Sequence, residues 1–163
     1  MLILEDLKKY DLSELRHCVS AGELLNPEVI DIWKKNIDLE IYEGYGQTET
    51  VLLIGTFPFM KVKSGSMGLP SPLFEVEILD NDLKPVKVKE EGDIAVKVKP
   101  EHPKGIFKGY LEDDELNSEV FKGDWYLTGD RAYKDEEGYF WFVGRSDDVI
   151  KSSGTCKKDY SSI

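Results

Sequence analysis

Three short runs of this sequence carry side chains that could do chemistry on a nucleotide. In Glu43-Gly44-Tyr45-Gly46-Gln47-Thr48-Glu49-Thr50, Tyr45 offers a flat face for a base, and Gly44 and Gly46 let the backbone come close to a ligand. Thr48 offers a hydroxyl for a phosphate oxygen, and Glu49 a hard oxygen ligand for Mg2+. In Tyr126-Leu127-Thr128-Gly129-Asp130, one carboxylate can accept hydrogen bonds from both hydroxyls of a ribose, and Gly129 lets the chain turn that carboxylate inward. The third run is Gly144-Arg145-Ser146-Asp147-Asp148-Val149-Ile150-Lys151-Ser152-Ser153-Gly154. Arg145 follows the apolar segment Tyr139-Phe140-Trp141-Phe142-Val143, which sets its guanidinium at a strand end near Asp130.

The elements that must hold these residues follow from the pattern around them. Leu15-Arg16-His17-Cys18-Val19-Ser20 reads as a short buried strand ended by Ala21-Gly22. Asn26 is a good N-cap, Pro27 suits the first helical position, and Glu28 sits in the first turn. Val29, Ile30, Trp33 and Ile37 then fall at helical spacing, so a helix over 27–36 is expected. Leu39-Glu40-Ile41-Tyr42 gives the next strand, and strand, helix, strand at this spacing argues for a parallel βαβ unit. The Tyr45 loop therefore follows the carboxyl end of a strand, where ligands of open α/β sheets sit. Gly22, Glu23 and Leu24 end the preceding parallel strand and should form the facing wall of the slot for the base.

After Pro58 the pattern changes to antiparallel β. Phe74, Val76 and Ile78 alternate with Glu75 and Glu77, and Ile94, Val96 and Val98 alternate again beyond the turn Glu91-Gly92-Asp93. A short helix is expected over 113–120, then a hairpin with arms at 124–133 and 139–143. The expected fold is α/β followed by β: the last βαβ unit of a doubly wound sheet over 1–58, then a small antiparallel β-barrel-like subdomain over 59–143. Other features read more plainly. Gly65-Ser66-Met67-Gly68 precedes a strand rather than a helix, so a turn is expected instead of a phosphate loop. His17 reads as a packed core histidine, the run Glu112-Asp113-Asp114-Glu115 as a solvated helix start, and the aromatics of 139–142 as core.

Composition excludes several classes. With 163 residues, 40% hydrophobic and 33% charged, the chain can bury one core but not two sizeable ones. No run approaches the roughly 18–20 apolar residues that span a bilayer, and the start Met1-Leu2-Ile3-Leu4 is too short and too soon acidic for a secretory signal. Cys18 and Cys156 stand far apart without paired Cys or His spacing, which suggests neither a disulfide framework nor a zinc site. A cytoplasmic, reducing compartment is the expectation. A net charge of −11 argues against nucleic acid and anionic membranes as partners. It also sets the chain's overall field against polyanionic small molecules.

Taken together and in this order, the three runs resemble the adenylate-forming enzymes, specifically the AMP-forming acyl-CoA synthetases of the medium-chain type. The resemblance reaches to about Gly154. It implies ATP or AMP, Mg2+ and CoA as ligands, with a short or medium-chain carboxylic acid converted first to acyl-AMP and then to acyl-CoA. By resemblance, Tyr45 stacks on adenine, Thr48 meets the α-phosphate, Glu49 holds the metal, and Asp130 and Arg145 hold the ribose. Gly22, Glu23, Leu24, Glu43, Gly44, Gly46 and Gln47 complete the nucleotide contacts. Asp147 is implied as the hinge of a segment at 144–154, Lys151 as an aid to the second half-reaction, and Gly154 as the glycine passed by the thiol arm of CoA. The family's Gly, Ser and Thr-rich phosphate loop with its lysine has no counterpart in this sequence. The residues at 155–163 diverge from the family's small C-terminal domain with its catalytic lysine, and Cys156 stands where an arginine is expected. The expectation is a partial synthetase, inactive when isolated and able to self-associate through an exposed sheet edge. An acetyl or aryl CoA ligase, or a non-catalytic AMP-binding fragment, remain the alternatives.

Overall fold

A computed structural model of the chain describes residues 9–146. Its first unit is β1 (Cys18–Ala21), α1 (Pro27–Ile37) and β2 (Ile41–Tyr45), with β1 and β2 parallel and Ala21 paired with Gly44. The helix begins as its sequence dictates. Asn26 Oδ1 accepts the Glu28 amide at 2.9 Å and Pro27 occupies the first turn. Asp38, in the left-handed region at φ 56°, closes the C-terminus through its amide to the Lys34 carbonyl. Of the expected apolar stripe only Ile30 is fully buried.

The chain then reverses. β3 (Ile54–Gly55) pairs antiparallel with β2, and β4 (Leu69–Pro70) pairs antiparallel with β3, giving one mixed sheet in the order β1-β2-β3-β4. That sheet continues past residue 58. The second sheet is antiparallel and curls as a half-barrel. It runs β5 (Val76–Leu79), β6 (Gly92–Lys97), β8 (Trp125–Lys134), β7 (Phe121–Lys122), with β9 (Phe140–Arg145) pairing the Asp130–Lys134 end of β8 beyond β7. A short helix α2 (Asp114–Val120), capped by the Asp113 side chain on the Leu116 amide, precedes β7.

One core joins the two sheets. Leu53, Ile54 and Met67 from the first pack with Val76, Ile78, Ile94, Val96, Tyr126 and Phe140 of the second. Each fully buried aliphatic or aromatic side chain there contributes about 1.5–3 kcal/mol. The junction is a backbone one as well: Met67 N donates to the Phe140 carbonyl and Phe140 N to the Gly68 carbonyl, both at 2.9 Å. Gly68, at φ 98°, passes so close to β3 that a Cβ would lie 2.2 Å from the Gly55 carbonyl oxygen. The 65–68 run is thus a packed turn, as its context suggested. Lys63 pins the same region to the β8–β9 turn through Asp135 at 2.6 Å and Glu137 at 2.9 Å, over the Tyr139 ring.

Two sequence expectations fail at β1 and one in part at β9. Among the described residues β1 lies at the sheet edge with a neighbour on one side only, so Val19 is 68% exposed and the strand is not buried. His17, just before it, is an exposed ring stacked on Tyr42 at 4.8 Å and not a core histidine. The aromatics of 139–142 divide: Tyr139 and Phe140 are core, whereas Trp141 stacks on Tyr133 and Phe142 is half-buried.

Candidate functional site

Parallel pairing of β1 with β2 places their carboxyl ends side by side, and a cavity of about 400 Å3 opens there. That size suits a small ligand. Gly22, Glu23 and Leu24 leave β1 along one side, while Glu43, Gly44 and Tyr45 at the end of β2, a strand that runs past the expected Tyr42, and Gly46 and Gln47 just beyond it line the other. Asp130 and Arg145 enter from the second sheet, paired across β8 and β9. Gly129 makes this possible: at φ 75° it turns Asp130 toward the first sheet, and the Arg145 guanidinium lies over the space where a Cβ would be.

Asp130 is the centre of the site. It is 6% exposed, and a carboxylate so buried requires donors. Tyr45 Oη donates to its Oδ2 at 2.6 Å, Gln47 Nε2 donates to the same oxygen at 2.7 Å, and Arg145 Nη1 donates to Oδ1 at 3.3 Å. Burial, then the neighbouring Asp130 charge, pushes the Tyr45 hydroxyl well above the ordinary tyrosine range, so it remains a donor. Glu43 is also buried, and its Oε1 accepts the Leu25 amide at 2.9 Å, tying the wall after β1 to β2. Burial raises the Glu43 carboxyl against the lowering effect of that amide.

Beyond Gln47 and Arg145 lies a second cavity of about 500 Å3, with Glu49, Asp93, Tyr110, Glu119 and Lys122 on its wall. Glu49 accepts the Tyr110 hydroxyl at 2.8 Å, and burial followed by this bond raises the Tyr110 hydroxyl. Among the described residues no three or more His, Cys, Asp or Glu side chains converge on a metal position. Glu49 therefore fits Mg2+ only as a single carboxylate, with the remaining ligands coming from phosphate and water, which is the usual Mg2+ arrangement.

The geometry thus brings together Gly22, Glu23, Leu24, Glu43, Gly44, Tyr45, Gly46, Gln47, Asp130 and Arg145. Thr48 is exposed and lines neither cavity, and Glu49 faces the second. Asp147, Lys151 and Gly154 lie outside the described residues, as do Cys156 and the rest of 155–163. Two lining residues escaped the sequence reading: Met67 and Phe142, which give the cavity an apolar side. Phe142 carries a readable signal, since it shares a strand face with Phe140 and lies two residues nearer Arg145. Met67 had none, because its turn is brought to the site by long-range pairing with β3 and with Phe140.

The profile of the AMP-binding enzyme family matches residues 1–111. The rat protein named acyl-coenzyme A synthetase ACSM3, mitochondrial, is 56% identical over 154 residues, covering 94% of this chain and 27% of its own length. The 4-hydroxybutyrate–CoA ligase 1 of Metallosphaera sedula is 54% identical over 149 residues, covering 91% of this chain and 26% of that protein. Among solved structures, the anthranilate CoA ligase AuaEII in complex with anthranoyl-AMP superposes with a TM-score of 0.81 at 33% identity, over 94% of this chain and 29% of that one. The chain spans about a quarter of the length of the curated relatives it matches. The cytoplasmic expectation is overturned, since the ACSM3 and ACSM5 relatives are named as mitochondrial proteins. Charge and cysteine usage describe a folded domain and carry no address, so they could not separate two reducing compartments.

Proposed function

Because this chain belongs to the AMP-binding enzyme family, we propose that its first cavity holds the adenosine half of a nucleotide, within a longer AMP-forming acyl-CoA synthetase. The observation that carries this is Asp130, a buried carboxylate with donors on both oxygens, at the floor of a strand-end cavity with an apolar side. In this reading the base lies between the Tyr45 side of the cavity and the peptides of 22–24. Met67 and Phe142 exclude water there. Asp130 accepts the ribose hydroxyls and Arg145 fixes both carboxylate and sugar. The reaction proposed for the longer protein has two steps. A carboxylate oxygen attacks the α-phosphorus of ATP and pyrophosphate leaves; the thiol of CoA then displaces AMP from the acyl-adenylate.

Most of that chemistry is positioning and charge stabilisation. Mg2+, when bound with the triphosphate, would supply charge neutralisation there, and Glu49 is the residue that would hold it. Thr48 is assigned to the α-phosphate, Asp147 to the hinge, Lys151 to the thiol step and Gly154 to the CoA path, all by resemblance. A short or medium-chain aliphatic acid is the proposed substrate, by the resemblance and in keeping with relatives named acyl-coenzyme A synthetase and 4-hydroxybutyrate–CoA ligase. The edge of β1, unpaired among the described residues and with the exposed Val19 on its strand, supports self-association of the isolated chain. The test of the nucleotide reading is calorimetric titration of AMP into wild type and Tyr45→Ala. Weaker binding by the variant is expected, and equal binding refutes the base assignment.

A further inference from the structure

Gln47 lines the first cavity, yet the three hydrogen bonds of its side-chain amide all go to protein atoms. Nε2 donates one hydrogen to Asp130 Oδ2 at 2.7 Å and the other to the Thr128 carbonyl at 3.0 Å, and Oε1 accepts the Tyr126 hydroxyl at 3.2 Å. A primary amide has two donor hydrogens, and both are committed. The reversed amide would set its oxygen against two acceptors, so the network fixes the orientation. All three partners belong to β8, whereas Gln47 belongs to the loop that leaves β2.

The loop itself is rigidly closed behind this side chain. Gln47 N donates to Thr50 Oγ1 at 2.9 Å and Thr50 N donates back to the Gln47 carbonyl at 3.1 Å. Phe107 N adds a bond to the Glu49 carbonyl at 2.8 Å. From a closed loop on one sheet, the amide therefore reaches across to the carboxylate on the other.

We propose that Gln47 is a positioning residue and not a nucleotide contact. It holds the Asp130 carboxylate at a fixed distance from the Tyr45 loop, and so sets the spacing between the base wall and the sugar-binding group. It also separates the two cavities, since Gln47 and Arg145 line both. The inference deepens the nucleotide reading and rests on it only for its effect on binding; the inter-sheet tie itself exists without ligand.

Two substitutions test it. Gln47→Leu keeps the volume and removes all three bonds. Measured without AMP, amide hydrogen exchange should rise together in 46–50 and 127–130, which a residue that merely touched ligand would not cause. AMP affinity should fall roughly tenfold or more, as expected for loss of a bond to a charged group. Gln47→Glu gives a readout that simple loss of packing would not. The titratable or charged groups facing that position are Asp130, Tyr45 and Tyr126, with Arg145 beyond Asp130 and Glu49 on the same loop. At about pH 8 the introduced carboxylate repels Asp130. Near about pH 5 that carboxyl, its pKa raised by Asp130, takes up a proton and donates to Asp130. Binding by Gln47→Glu should therefore strengthen on acidification while wild-type binding does not. Unchanged exchange in Gln47→Leu overturns the inference, as does a Gln47→Glu pH trend that matches wild type. Should Gln47→Leu fail to fold, Gln47→Glu carries the test. Should wild type bind no AMP, the nucleotide reading fails, and the exchange measurement alone decides for or against the tie.

Discussion

Replacing Asp130 by asparagine removes one charge and one acceptor oxygen at nearly constant volume, and its effect can be worked from the site. A carboxylate offers about four acceptor positions. Tyr45, Gln47 and Arg145 occupy three, which leaves one open, and a second opens when the Tyr45 hydroxyl swings away. A ribose diol bound there makes one or two bonds to a charged acceptor, each worth about 1.5–3 kcal/mol. The variant keeps a single neutral carbonyl oxygen among three donors, and its NH2 can only donate, so no charged acceptor is left for the diol. AMP affinity should fall by about 2–3 kcal/mol, roughly 30- to 150-fold. Folding stability should change less, because the substitution also removes a buried charge whose desolvation cost offsets the lost pairing. Calorimetric titration with AMP and with 2′,3′-dideoxy-AMP, alongside urea unfolding, separates these effects. Wild type should reject the dideoxy compound by the same factor that Asp130→Asn loses for AMP, and the variant should bind both compounds alike. If Asp130→Asn discriminates between them as strongly as wild type does, Asp130 does not hold the sugar, whatever happens to stability.

Three further substitutions probe the surroundings. Tyr45→Phe keeps the ring and frees an acceptor position on Asp130, so AMP should bind as tightly as to wild type or more tightly; a tenfold loss would mean that the hydroxyl itself touches ligand. Burial holds the Glu43 carboxyl above its ordinary value of 4.5, so the native chain keeps that proton longer than the unfolded chain does. The sign follows: stability is full below the ordinary value and declines as pH rises through the raised one. Glu43→Gln, which retains an acceptor for the Leu25 amide, should flatten that decline, and urea midpoints across the acid range would detect a slope left unchanged. Gly68→Ala should destabilise by about 3 kcal/mol or more, because a Cβ would meet the Gly55 carbonyl at 2.2 Å from a backbone at φ 98°; an unfolding midpoint equal to wild type would contradict the packed junction.

The site was legible in the sequence where chemistry depends on residue type and on the ends of strands. Asn26, Pro27 and the apolar spacing of α1 announced the βαβ unit, and with it the crevice shared by Gly22 and Tyr45. What the sequence could not supply was the partner of each polar atom. Gln47 and Glu23 both lie on the cavity wall, but only the packing of β8 against the loop after β2 shows that both donor hydrogens of the Gln47 amide are taken by protein acceptors. Thr48 stands outside both cavities for a related reason: the turn from Gln47 to Thr50, closed by paired hydrogen bonds, leaves it exposed between two residues that line them. His17 and Val19 misled because an apolar run says that a strand exists and not how many neighbours it has. β3 and β4, two residues each, are too short for alternation to show, and yet they carry Met67 to the cavity. Local pattern therefore names the groups, while long-range pairing decides which of them face a ligand and which hold each other. In this chain that distinction falls inside one motif. Tyr45 and Gln47 stand two residues apart, bond the same oxygen of Asp130, and can be told apart only by what their remaining atoms touch.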